Sequence, residues 1–254
     1  MDNSWKFMGA GFLIAVFLNL PLYHYIHDMD WFWTENFVMS ASALCLEYMA
    51  TFFHELGHTL FAWLYGYPTI PVFDFAHGGG LAISVTGQSY LVRGAALAVI
   101  GYGAYLLRDF TPFMIGLAVL GVFILATGFS EDIHMSMVDF MGPGAEALVA
   151  GFLLTRALLD ISPGGVTERL LNAVFGFGIL FQVFIKGFAL LRNDAYRLVY
   201  FEQKGTHGFG DFDKIAERFL PLGFDGVVTI WLVLACLCLS VPFFLYWQDR
   251  RAEG

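Results

Sequence analysis

Along most of this chain the apolar residues run together instead of alternating. Such stretches lie near 8–25, 38–65, 92–107, 113–129, 142–159, 170–191 and 225–247. A bilayer core about 30 Å thick takes about 20 helical residues, so these runs predict membrane-crossing helices. The third and fourth are separated only by Arg108, Asp109, Phe110, Thr111 and Pro112, which predicts a helical hairpin. One region breaks the pattern. Residues 66–80 are rich in Pro and Gly, and Leu81, Ala82, Ile83, Ser84, Val85 and Thr86 then alternate bulky-apolar with small or polar. That is the period of a strand with one greasy face. The pattern predicts an all-α polytopic membrane protein of about six or seven transmembrane helices, with a short β-strand or hairpin after the second. It reads as a single membrane-embedded domain over 1–254.

Composition agrees with this class. The chain is 58 % hydrophobic and 14 % charged, whereas soluble domains average about 45–50 % apolar and about 25 % charged. A soluble globular enzyme and a disordered chain are both excluded. A net charge of -9 excludes a basic nucleic-acid binder. Cys45, Cys236 and Cys238 lie in apolar runs and support no disulfide framework. Lys6 precedes an apolar run as in a signal peptide, but Leu20, Pro21, Leu22 and Tyr23 are too bulky for a cleavage site. The run reads as a first membrane helix that is kept.

The loops set an orientation. Arg192, Arg197, Lys204, Lys214 and Arg218 crowd segment 192–218, while 26–37 carries Asp28, Asp30 and Glu35 without Lys or Arg. The positive-inside rule then predicts a cytoplasmic N-terminus, with loops 66–91 and 130–141 and segment 192–224 on the same side. Arg250 and Arg251 fall on the other side in this scheme.

Against so apolar a background, polar residues at membrane depth are costly and stand out. The sharpest group is His54-Glu55-Leu56-Gly57-His58 in the second helix. Histidines at i and i+4 lie ~40° apart around a helix and ~6 Å along it. Both imidazoles therefore reach one tetrahedral Zn²⁺ at about 2.0–2.1 Å. Glu55 stands where it can act as general base on a zinc-bound water, whose pKa the ion lowers toward ~7. Gly57 leaves room for a neighbour or a substrate.

These residues resemble the site-2 proteases, a family of intramembrane zinc metalloproteases that carry H-E-x-x-H within a membrane helix. Members also show a Gly-Pro-x-x-Asn-like segment opening another helix, and a Leu-Asp-Gly-like motif whose Asp is the third zinc ligand. Here Met141-Gly142-Pro143-Gly144-Ala145-Glu146 is similar, with Glu where Asn is usual. Leu190-Leu191-Arg192-Asn193-Asp194-Ala195 is similar to the Asp motif, with Ala after Asp. The resemblance covers about 38–200 and leaves the C-terminal helix 225–247 as an addition. It implies Zn²⁺ held by His54, His58 and Asp194, catalysis by Glu55, and a membrane-spanning protein substrate in the lipid bilayer.

Other residues on the same predicted face compete for the third ligand. Asp139 and His77 are alternatives, followed by His134 and Glu146, each of which is otherwise a loop or surface residue. Glu47, seven residues before His54, is about 10 Å away along the axis and too distant to share a first shell. It reads more simply as a carboxyl bonded to another helix. Lys186 reads as a side chain snorkelling toward the face where Arg192 lies. Asp211, Asp213, Lys214, Glu217 and Arg218, with Gly208 and Gly210, read as a solvated loop and short helix. Leu81, Ile83 and Val85 are candidate substrate-binding positions, because an edge strand can pair with an unwound substrate. Rival functions are a metal or proton transporter and a zinc-binding scaffold without proteolysis. The clustering of the polar residues near one face favours the enzyme.

Overall fold

The computed structural model describes residues 4–27, 37–74, 79–204 and 210–252. Helices α1 (Ser4–His27) and α2 (Phe37–Leu64) are followed by an antiparallel hairpin, β1 (Thr69–Asp74) and β2 (Gly79–Ser84). Next come α3 (Tyr90–Leu106), α4 (Thr111–Thr127), α5 (Glu131–Leu158) and α6 (Gly165–Arg192). The chain ends with α7 (Asp194–Gln203), α8 (Asp211–Arg218) and α9 (Gly223–Ala252). The predicted helical class with one hairpin is what the structure shows.

Among the described residues, four helices are long and apolar enough to cross a membrane: α1, α5, α6 and α9. This is compatible with a membrane protein, but it is short of six or seven spans. Helices α3 and α4 are apolar but only 17 residues each. Helix α2 has 28 residues and carries Glu47, His54, Glu55 and His58 along its apolar run.

Helix α5 begins eleven residues before the apolar run at 142. Glu131 and Asp132 occupy its first turn, where carboxylates favour the positive end of the helix dipole. His134 and Asp139, expected in a loop, therefore sit on a helix. Helix α5 is the hub, packing on α2, α6 and α9, while α6 packs on α1. Small residues let these helices approach: Ala147, Ala150 and Ala173 are fully buried in the core, with Leu154, Val183 and Trp231 around them. Asn19 ties α1 to α6 by donating from Nδ2 to the Gly178 carbonyl, 3.2 Å away.

The hairpin pairs Thr69 with Ser84, Pro71 with Ala82, and Phe73 with Gly80. It forms a sheet of two strands, resting on α2. Pro71 has no N–H to give, and Val85 N donates to Pro68 O at 2.8 Å. Both facts fix the ladder so that Leu81 and Ile83 bond across to β1. Gly80, Ala82 and Ser84 then turn their N–H and C=O groups to the other edge of β2.

Candidate metal centre

Three ligand atoms converge between α2 and α8. His54 Nε2 lies 3.1 Å from His58 Nε2 and 3.0 Å from Asp211 Oδ2, and His58 Nε2 lies 3.4 Å from the same oxygen. Among the described residues this is the one group of His, Cys, Asp and Glu gathered closely enough to hold a metal.

The remaining ring nitrogens settle the tautomers. His58 Nδ1 is 2.8 Å from the Val138 carbonyl, which can only accept, so Nδ1 carries the proton. His54 Nδ1 is 2.7 Å from Glu146 Oε1 and donates to that carboxylate. Both Nε2 lone pairs therefore face Asp211 Oδ2, and three acceptors meet with no donor supplied by the neutral rings. One proton bridges only one side of such a triangle. A metal ion satisfies all three. Tetrahedral zinc with bonds of about 2.0–2.1 Å needs ligand atoms roughly 3.3 Å apart, close to the observed sides. Carboxylate and carbonyl partners behind the rings complete the arrangement that zinc-binding histidines need.

The local sequence of α5 makes room for this. A Cβ on Gly142 would overlap the His58 ring and lie 2.8 Å from His54 Nε2, so only glycine leaves the cradle open. Pro143 cannot donate to the carbonyl four residues back, and its ring disturbs the preceding turn. The Val138 carbonyl, one residue before the one Pro143 leaves without its helical donor, reaches His58. The Pro143 carbonyl accepts from Trp231 Nε1 of α9 at 2.8 Å. Glu146, standing where the resemblance expects Asn, is the residue that orients His54.

Glu55 is buried, and its side chain rests on the backbone of β2: a Cβ on Gly80 would come within 2.9 Å of Glu55 Cδ and Oε1. A cavity of about 1070 Å³ contains His54, Glu55, His58, Asp211 and the whole of β2, while β1 contributes only Thr69. The open edge of β2 therefore borders the centre. Leu81 and Ile83 line this cavity but turn side chains, with Ile70 and Val72, onto a half-exposed apolar face. Val85 is exposed beyond the end of the strand.

No protein-family model, curated protein or solved structure matches the chain.

Asp211 is the member that the sequence reading missed. It stands at the start of α8, where Phe212 and Ile215 bury one face. Those two apolar positions three apart were the available signal that α8 docks on the bundle instead of lying in solvent. Burial pushes the Asp211 carboxyl up, but the His58 and His54 imidazoles beside it, when they carry a second proton, more than reverse this. It lies far below the usual carboxylate range. Nearby, Tyr200 OH donates to Asp213 Oδ1 at 3.0 Å. Burial and the carboxylates of Asp213 and Asp211 hold the Tyr200 phenol well above its ordinary value.

The other candidates have different surroundings. Asp194 is exposed at the first position of α7, after Asn193, whose side chain accepts from Tyr196 N. It lines a separate cavity of about 620 Å³ with Tyr23, His27 and Arg192. Asp139 accepts from Arg218. His134 is buried, its Nε2 2.9 Å from Tyr67 OH and its ring stacked on Tyr65. His77 lies outside the described residues. Glu47 pairs with Lys186 of α6 at 3.3 Å and lines the large cavity, so Lys186 has a partner inside the bundle.

Proposed function

We propose that the protein is a multi-pass intramembrane zinc metalloprotease, resembling the site-2 proteases, that hydrolyses a peptide bond in a membrane-spanning protein substrate. The observation that carries this reading is the convergence of His54 Nε2, His58 Nε2 and Asp211 Oδ2, with both Nδ1 protons held outward, beside a buried Glu55. In this reading His54, His58 and Asp211 hold Zn²⁺, and Asp211 takes the place that the resemblance gave to Asp194. When bound, zinc supplies a Lewis acid that lowers the pKa of a water and polarises the scissile carbonyl.

The rest is done by the chain. Glu55 accepts the proton of the attacking water and passes it to the leaving amine. Its contact with Gly80 puts that carboxyl next to the strand that presents the substrate. A helical substrate hides its peptide bonds, so one stretch must be held extended. The N–H and C=O groups of Gly80, Ala82 and Ser84 at the open edge of β2 hold such a stretch by strand addition. Lys204, Lys214 and Arg218 near the centre favour a cytoplasmic opening, with the N-terminus on the same side. The shorter helices α3 and α4, together with α2, then join the four long ones in the bilayer.

The test is zinc content and cleavage of a model membrane-spanning substrate by wild type, Glu55→Gln and Asp211→Asn. Glu55→Gln should keep zinc and lose cleavage by roughly 10²–10⁴-fold. Asp211→Asn should bind zinc more weakly, through the histidine pair alone, and lose cleavage. Undiminished cleavage in Glu55→Gln ends the proposed mechanism. Zinc binding by a wild type that cleaves no substrate supports the scaffold instead.

A further inference from the structure

Of the three ligands, Asp211 alone does not come from α2. It stands at the end of an eight-residue helix, so its position depends on what holds that helix. The buried face of α8 is apolar, with the Phe212 ring 5.0 Å from Trp231. Apolar contact turns the right side inward but is non-directional, and it tolerates sliding. At the near end Tyr200 OH of α7 donates to Asp213, and the directional contacts with α5 lie further along the helix. Arg218 Nη1 donates to Asp139 Oδ2 and approaches Ser136 Oγ at 3.4 Å, both on α5. Lys214 Nζ is 4.0 Å from the other oxygen of Asp139. Asp139 is buried and follows Val138, whose carbonyl holds His58. One turn of α5 therefore fixes both a histidine of α2 and the helix that carries the carboxylate. Arg218 is seven residues from Asp211, about 10 Å along the axis. A bond there sets how far along its axis α8 lies.

We propose that Arg218 and Asp139 are positioning residues for the third metal ligand: their bridge holds α8 in the register that places Asp211 Oδ2 against His54 and His58. The proposal rests on the metal centre described above. Without the bridge, α8 keeps its apolar contacts and the Tyr200–Asp213 bond to α7, but it loses its register on α5, from which the histidines are held, and the metal falls back on the histidine pair. The loss belongs with those from outer-shell partners, which cost about 10–100-fold in affinity.

The experiment is zinc affinity of the purified full chain in detergent, by competition with a chromophoric chelator. Arg218→Ala, Arg218→Lys and Asp139→Asn are each made in the wild-type and Asp211→Asn backgrounds. Melting temperatures are taken in excess chelator. Arg218→Ala and Asp139→Asn should weaken zinc about 10–100-fold, with a smaller loss for Arg218→Lys. All three effects should vanish beside Asp211→Asn, because a residue acting only through Asp211 has nothing left to position. A general structural role would instead lower melting temperature and zinc affinity in both backgrounds. Wild-type affinity in Arg218→Ala, or equal losses in both backgrounds, overturns the proposal and leaves the centre standing. A wild type that binds no zinc removes the centre itself. Should Arg218→Ala not fold, Arg218→Lys and Asp139→Asn carry the same comparison: a loss that disappears with Asp211→Asn supports the bridge, and no loss overturns it.

Discussion

Helix α2 and helix α8 feed the same cluster from opposite starting points. Helix α2 has 28 residues, and its two imidazoles are one turn apart on one face, so their mutual position comes from helix geometry alone. Their outer nitrogens are held by Glu146 and Val138 of α5. Helix α8 has eight residues, and its one member of the cluster depends on tertiary contacts with α5 and α9. The difference teaches where a polydentate site is robust. The histidine pair is a local property of a helix, while the carboxylate is a property of docking.

The comparison is broken most directly at the ligands. His58→Ala should reduce zinc to background and abolish cleavage, since it removes one of two pre-arranged imidazoles. Asp211→Ala should leave a weaker but measurable two-histidine site. Zinc titration of both variants decides it. Equal loss in the two would mean that the pair has no standing without the carboxylate.

Next in size is Gly142→Ala. In an ordinary helix interior this change stabilises by roughly 1 kcal/mol. Here the added Cβ enters the space against both Nε2 atoms. Overpacking costs about 1–3 kcal/mol, so zinc affinity should drop by up to about a hundredfold while helix content by circular dichroism is kept. Unchanged affinity would place the metal away from the α5 side of the rings.

The two halves also differ in how far they could be read from sequence. His54 and His58 were legible because the 3.6-residue period converts spacing into proximity without further knowledge. The helical class and the strand near 81–86 were legible for the same reason, from runs and alternation. Asp211 was not, because no local period links it to residue 54, and its neighbours Asp213, Lys214, Glu217 and Arg218 look like a solvated face. The signal was narrower: Phe212 and Ile215 mark one face of α8 for burial. Asp194 drew attention through its place in a motif order. Position along the chain does not fix position in space, and the helix that follows Asn193 places its carboxyl at another cavity. The early start of α5 was hidden because Glu131, Asp132, His134 and Asp139 break the apolar run, although a helix needs only one apolar stripe.

Glu146→Gln tests the support behind α2. A neutral amide oxygen still accepts from His54 Nδ1, but it lacks the charge that strengthens the bond and raises the basicity of the ring. Zinc affinity should fall about tenfold, at the low end of outer-partner effects. A loss as large as that of His58→Ala would show that Glu146 itself binds the metal.

The smallest expected effect concerns the empty centre. Stripping zinc with a chelator leaves His58 on Val138 and His54 on Glu146, so α2 should keep its amide protection around residues 54–58. Helix α8 loses the attachment at Asp211 but keeps Arg218 on Asp139 and Tyr200 on Asp213. Its amides should exchange only about tenfold faster, equivalent to about 1.4 kcal/mol of local opening. Hydrogen–deuterium exchange with mass spectrometry resolves the two segments. If both accelerate together, the histidine pair depends on the metal as much as the carboxylate does, and the division between local geometry and docking fails. If only α8 responds, the metal is what completes its docking, and the two imidazoles are in place to receive the ion before Asp211 closes on it.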